Sequence, residues 1–146
     1  MHMVAPAGPV YQAGTLSGNP IATSAGIATL RVLIRDNPYP ALQTGGKLLG
    51  AAIARAGKRA GIPVTTAARG GMWGFFLSAH EVTNFETAQL SDARLYASLF
   101  HALLARRVYF APSAFESLFL STSHDTAVLD HTVAAIEDVF AGLRAD

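Results

Sequence analysis

The thirteen residues Gly8-Pro9-Val10-Tyr11-Gln12-Ala13-Gly14-Thr15-Leu16-Ser17-Gly18-Asn19-Pro20 constrain this chain more than any other stretch. They hold three glycines and two prolines, a density of turn formers that rules out an ordinary strand or helix. Val10, Tyr11, Ala13 and Leu16 are interleaved with them, so the segment is not polar filler but a loop with a fixed backbone. It runs into a helix start. Asn19 can cap, Pro20 suits the first helical position, and a small-residue apolar run follows. The pairs Gly14-Thr15 and Ser17-Gly18 set hydroxyls beside backbone N–H groups, which can cradle an anion such as phosphate. A loop that only caps a helix reads the same way. The stretch is neither a Walker loop nor a dinucleotide fingerprint, since it contains no Gly-Lys-Ser/Thr and no Gly-x-Gly-x-x-Gly.

The helix after Pro20 is predicted to run to about residue 34. Ala22, Ser24, Ala25, Gly26 and Ala28 are small on nearly every side, with Ile21, Ile27, Leu30 and Leu33 between them. Such a helix suits a buried or interface position. Asp36-Asn37-Pro38-Tyr39-Pro40 stops it. A second helix is predicted over residues 41–60, with Leu42, Leu49, Ile53 and Ala56 on one face, and its glycines at 45, 46, 50 and 57 work against it. Val64 to Ala67 and Met72 to Leu77 read as two strands joined at Gly70-Gly71. Residues 78–90 read as loop with one short turn. Ser91-Asp92 opens a helix with Leu95, Leu99, Phe100, Leu103 and Leu104 as its stripe. Short strands are predicted at 108–110 and around Phe119-Leu120. A last helix, capped by Asp125, turns Leu129, Val133, Ile136, Phe140 and Leu143 inward. From residue 41 this order gives a small α+β domain, an antiparallel sheet with helices on one side. Residues 1–40 do not fit that domain and read as the end of something larger.

Of 146 residues, 51% are hydrophobic and 14% charged, more apolar than a free-standing monomer of this size needs. A formal charge of +1 and the absence of basic runs exclude an electrostatic case for nucleic acid or an anionic membrane. No segment is long and apolar enough to span a bilayer. There is no cysteine, hence no disulfide or thiolate chemistry. His80, His101, His124 and His131 have no metal-ligand spacing, and His101 and His131 are expected at the surface or boundary of their helices. Ser17 lacks a Gly-x-Ser-x-Gly setting. Trp73, Phe75 and Phe76 read as sheet core.

The wording of the loop resembles the glutamate-1-semialdehyde 2,1-aminomutase family, a branch of the class III aminotransferases. Other parts are similar too. Gly70-Gly71-Met72-Trp73-Gly74-Phe75-Phe76 resembles the family's Gly-x-Met-Phe-Gly-x-Phe strand. Arg107-Val108-Tyr109-Phe110-Ala111-Pro112-Ser113-Ala114-Phe115-Glu116 resembles Gly-Val-Tyr-Leu-Ala-Pro-Ser-x-Phe-Glu. Arg107 stands where the family has glycine, which bears on a helix C-cap. Ser117-Leu118 stands where Ala-Gly is usual.

The resemblance implies a fold type I pyridoxal-phosphate enzyme. Residues 1–40 would be the end of its cofactor-binding large domain, with phosphate loop and interface helix, and residues 41–146 its C-terminal small domain. Gly14 and Thr15 would bind the phosphate of pyridoxal 5'-phosphate or pyridoxamine 5'-phosphate across a homodimer interface. Glu116 would sit in the substrate site, where its carboxylate can bind amino groups or orient the catalytic lysine; the plainer alternative is a solvated loop acid. The implied reaction turns a small amino-aldehyde, glutamate-1-semialdehyde, into 5-aminolevulinate for tetrapyrrole synthesis in the cytoplasm, with no nucleic-acid or membrane partner. The Schiff-base lysine lies upstream of the loop in this family. Only 14 residues precede Thr15, none of them lysine, and the two lysines, Lys47 and Lys58, fall elsewhere. Two other readings stand beside this one: a class III aminotransferase acting on another amine, and a non-catalytic, dimer-forming fragment or truncated paralogue.

Overall fold

The computed structural model describes residues 1–143, which fall into two compact units, Met1–Asn37 and the described residues from Pro38 on. In the first, residues 1–19 form an irregular loop pinned by a bridge between Val4 and Val10. The N–H of Ala5 donates to the Val10 carbonyl at 2.8 Å, and that of Val10 to the Met3 carbonyl at 2.9 Å. The loop ends at helix α1 (Pro20–Asp36), whose Asn19 cap accepts from the N–H groups of Ile21 and Ala22. Asn37 closes the helix in the left-handed conformation, φ 39°, as an Asn-Pro pair allows. None of the residues of α1 is buried, Ile21, Ile27, Leu30 and Ile34 included. The buried setting that its small residues suggest is not formed among the described residues of its own unit.

The second unit is α+β. Helix α2 (Tyr39–Ala60) leads into strands β1 (Thr65–Arg69) and β2 (Met72–Phe76), then the four-residue α3 (Phe85–Ala88), α4 (Ala93–Ala105), β3 (Leu118–Phe119) and α5 (Thr126–Gly142). The three strands form one antiparallel sheet in the order β1-β2-β3. Ala67 pairs with Gly74, Trp73 with Leu118, and Met72 with Phe119. β2 alternates by the period of a pleated strand, Trp73 and Phe75 buried and Met72 exposed.

On the buried side lies the core. Trp73, Phe75 and Leu77 meet Leu49, Ile53 and Ala56 of α2, Leu99 and Leu103 of α4, and Ile136 and Phe140 of α5. The inward stripes of α2 and α5 follow the sequence pattern in part: Leu49, Ile53, Ala56, Ile136 and Phe140 are buried, Leu42, Leu129, Val133 and Leu143 half-buried, and Ala135 and Val139 join the core. In α4 the stripe is rotated slightly: Leu104 is exposed, and Tyr96 takes a buried place instead. The glycines of α2 do not break it, because Gly45, Gly46, Gly50 and Gly57 are all buried against neighbours. At Gly45 a Cβ would come 2.9 Å from the Leu120 side chain, and at Gly57 it would collide with Val64 and with the Ile62 carbonyl. Glycine here lets helix and strand approach closely, which offsets its poor helix propensity.

One expected strand is absent. Residues 108–110 alternate as a strand would, Val108 and Phe110 buried and Tyr109 exposed, but form no ladder, so the sheet has three strands rather than four. The side chains of Val108 and Phe110 are consumed by the core. Phe110 meets the edge of the Trp73 ring at 5.5 Å, with no strand alongside to pair the backbone.

Candidate functional site

The Gly14–Thr15 turn is built by short backbone bonds. The N–H of Ser17 donates to the Gly14 carbonyl and that of Asn19 to the Leu16 carbonyl, both at 3.0 Å. A Cβ at residue 14 would stand 2.5 Å from the Ser17 Oγ, so glycine allows Ser17 to fold back over the turn. Thr15 is exposed at its apex. Its hydroxyl and the N–H groups of Thr15 and Leu16 take no partner among the described residues. No Asp or Glu precedes Asp36 in the chain, so nothing acidic competes in sequence for this loop. Hydroxyl and N–H donors without a carboxylate are the donor set a phosphate requires.

Glu116 belongs to the second unit. The segment leading to it begins at the C-terminus of α4, where the N–H of Val108 donates to the Leu103 carbonyl and that of Arg107 to the Leu104 carbonyl. Between them Arg107 sits at φ 63°, the left-handed position that usually holds glycine. Beyond Pro112 a tight turn forms: Ser113 Oγ accepts from the N–H of Phe115, and the Ser113 carbonyl from that of Glu116. Ala114 is buried, and the Phe115 ring meets Phe85 at 6.0 Å. The turn leaves Glu116 exposed where two clefts meet. One, of about 370 Å³, lies along the hairpin and includes Ala67, Met72, Gly74 and Phe76. The other, of about 520 Å³, runs between the 107–112 segment, β3 and α5. Glu116 and Ser117 line both.

Tyr96 was not among the residues the sequence pointed to. Its hydroxyl donates to the Ala111 carbonyl at 2.6 Å. Burial first, and then the charge of Glu116, push its phenol up to about 12, so it remains a donor at ordinary pH. Its spacing to Leu99 and Leu103 would have placed it on the inner face of α4, but nothing in the sequence tells that its hydroxyl reaches residue 111. The remaining candidates are placed simply. Lys47 and Lys58 are exposed on α2. His101 and His131 are exposed, and the His131 ring donates through Nε2 to the Arg106 carbonyl at 3.0 Å. Among the described residues no group of three or more His, Cys, Asp or Glu side chains is placed to hold a metal ion, and no helix is long and apolar enough to cross a membrane.

No protein-family model matches the chain. It is 42% identical over 144 residues to the glutamate-1-semialdehyde 2,1-aminomutase of Roseiflexus castenholzii, a match that covers 99% of this chain and 33% of that relative. By sequence it is a relative of the glutamate-1-semialdehyde 2,1-aminomutases. The chain spans about a third of the length of the curated relatives it matches. Its fold is similar to that of aminotransferases. A β-phenylalanine aminotransferase of Variovorax paradoxus superposes with a TM-score of 0.78 at 27% identity, over 95% of this chain and 33% of that one. A transaminase solved with pyridoxal phosphate bound superposes with a TM-score of 0.70 at 17% identity, over 94% of this chain and 31% of the other. The α+β fold of this aminomutase relative is thus that of about a third of such a transaminase.

Proposed function

We propose that this chain is the phosphate-loop and small-domain part of an aminomutase that converts glutamate-1-semialdehyde to 5-aminolevulinate, in tetrapyrrole (porphyrin) synthesis. It works with an upstream segment that carries the Schiff-base lysine, as a cytoplasmic homodimer. The observation that carries this reading is the Gly14–Thr15 turn. In a chain so similar to aminomutases, the turn offers an exposed hydroxyl and N–H donors without partners among the described residues, the set that fits a cofactor phosphate.

Gly14 and Thr15 would hold the phosphate of pyridoxal or pyridoxamine 5'-phosphate. Bound there, the cofactor supplies the electron sink for amine transfer. The chain's own residues supply position. The turn fixes the phosphate by hydrogen bonds that need no cation. Glu116, set between two clefts, binds an amino group of the amino-aldehyde substrate or orients the lysine beside it. Met72 and Phe76 line the same hairpin cleft as Glu116 and give it an apolar side.

The test joins this chain to the upstream part, about two thirds, of the Roseiflexus castenholzii relative. The expected result is a protein with cofactor absorbance that forms 5-aminolevulinate from glutamate-1-semialdehyde. A folded, cofactor-loaded hybrid that makes none would overturn the reading. One observation favours a second reading, a class III aminotransferase of other specificity. Ser117, which departs from the usual family residue, lines both clefts beside Glu116. Turnover that depends on an external amine donor would select it.

A further inference from the structure

Residues 109–112 connect the end of α4 to the turn that carries Glu116. The stretch is anchored by one buried side chain, Phe110, which is 7% exposed, yet it belongs to no strand. Among the described residues a single hydrogen bond reaches it, from the Tyr96 hydroxyl to the Ala111 carbonyl at 2.6 Å. Tyr96 itself is firmly held. It is 5% exposed, its ring packs on Phe75 at 5.7 Å, and Phe75 in turn meets Phe110 at 6.2 Å. From Ala111 to Glu116 the chain has little freedom. Pro112 fixes one dihedral, Ser113 closes the turn with two hydrogen bonds, and Ala114 is buried. A displacement at Ala111 is therefore passed on to the carboxylate.

We propose that Tyr96 is a positioning residue for Glu116, its hydroxyl clamping the Ala111 carbonyl so that the carboxylate is held at the meeting of the two clefts. The inference rests on the reading of Glu116 as a substrate-site residue. The charge of Glu116 acts on the Tyr96 phenol, which places the two groups within electrostatic reach of one another. The clamp is neutral and moves no proton; it acts only through geometry.

The experiment uses the hybrid enzyme described above in four forms: unchanged, Tyr96→Phe, Glu116→Gln, and the double variant. Rates are taken per bound cofactor, so loss of folded protein does not enter. Tyr96→Phe keeps the ring packing and removes one hydrogen bond, for which a fall in kcat of roughly fivefold to tenfold is expected, with KM changed less. In the Glu116→Gln background the same change is expected to have no further effect on kcat. A second readout needs no activity. Hydrogen exchange of the Phe115 and Glu116 amides, both hydrogen-bonded to Ser113, should quicken in Tyr96→Phe in the cofactor-free protein, while α4 is unchanged. If the two substitutions multiply in the double variant, Tyr96 does not act through Glu116 and the proposal fails. If Glu116→Gln alone leaves kcat and KM unchanged, the substrate-site reading of Glu116 fails, and this inference with it. Unchanged exchange at Phe115 and Glu116 overturns the clamp directly.

Discussion

The backbone N–H of Val108 donates to the carbonyl of Leu103 at 3.0 Å, looping the chain back over the end of α4. Both side chains are buried, which completes the apolar contact that accompanies this type of helix end. The residue between, Arg107, is held at φ 63°, where an L side chain is strained and glycine is not. Arg107→Gly is therefore expected to stabilise the chain by about 0.5–1 kcal/mol, the strain relieved being partly offset by the greater freedom of glycine in the unfolded state. In urea unfolding the midpoint should rise with the slope unchanged. A lower midpoint would mean that the exposed Arg107 side chain contributes more than its backbone strain costs.

Gly57 makes the opposite case. It lies in the interior of α2, where glycine costs about 1 kcal/mol relative to alanine. A Cβ there would collide with Val64 and stand 2.8 Å from the Ile62 carbonyl. The carbonyl is backbone and cannot swing away. Gly57→Ala should thus destabilise by about 1–3 kcal/mol despite the gain in propensity. Thermal unfolding of the chain decides the sign: a raised midpoint would show that the turn at Gly61-Ile62 yields easily.

These two positions also mark how far the sequence could be read. The helices, their caps at Asn19, Asp92 and Asp125 and the hairpin at Gly70-Gly71 are local features, set by residues within a few positions of one another, and they fall where the pattern puts them. The glycines of α2 read as a weakness because their purpose lies across a turn, in Val64 and Leu120. The strand expected at 108–110 has the right alternation but no neighbour to pair with, and pairing is a property of the tertiary structure rather than of the segment. For the candidate site, the loop wording pointed to Gly14 and Thr15, and the resemblance pointed to Glu116. Tyr96 escaped because a tyrosine on a helical stripe reads as core, and the contact of its hydroxyl 15 residues on has no local signature.

At the Gly14–Thr15 loop, the side chain of Thr15 offers a hydroxyl as its only polar group. Thr15→Ser retains that hydroxyl and Thr15→Ala removes it, while the N–H donors remain in both. In the hybrid enzyme Thr15→Ala is expected to weaken retention of pyridoxal phosphate by roughly tenfold, the size of one hydrogen bond to a charged group, with Thr15→Ser close to the parent. The check is the rate of cofactor loss on dilution, followed by absorbance. Equal retention in all three would mean that the N–H groups alone hold the phosphate, or that it binds elsewhere.

Tyr96 gives the last prediction, through pH. Its phenol is raised from 10.0 to about 12, first by burial and second by the Glu116 charge. Below pH 10 the residue is protonated whether the chain is folded or not, and the stability it contributes is fully present. Between about pH 10 and pH 12 the unfolded chain loses the phenolic proton while the folded one keeps it, so the unfolded state binds fewer protons and stability falls as pH rises. Unfolding midpoints in urea should therefore decline across this window more steeply for the parent than for Tyr96→Phe, which has no proton to lose. Glu116→Gln removes the second of the two causes, so it should lower the Tyr96 titration in the phenolate absorbance and shift the start of the decline to lower pH. A Tyr96 signal indifferent to Glu116→Gln would place the carboxylate too far away for the clamp and the acid to work as one unit.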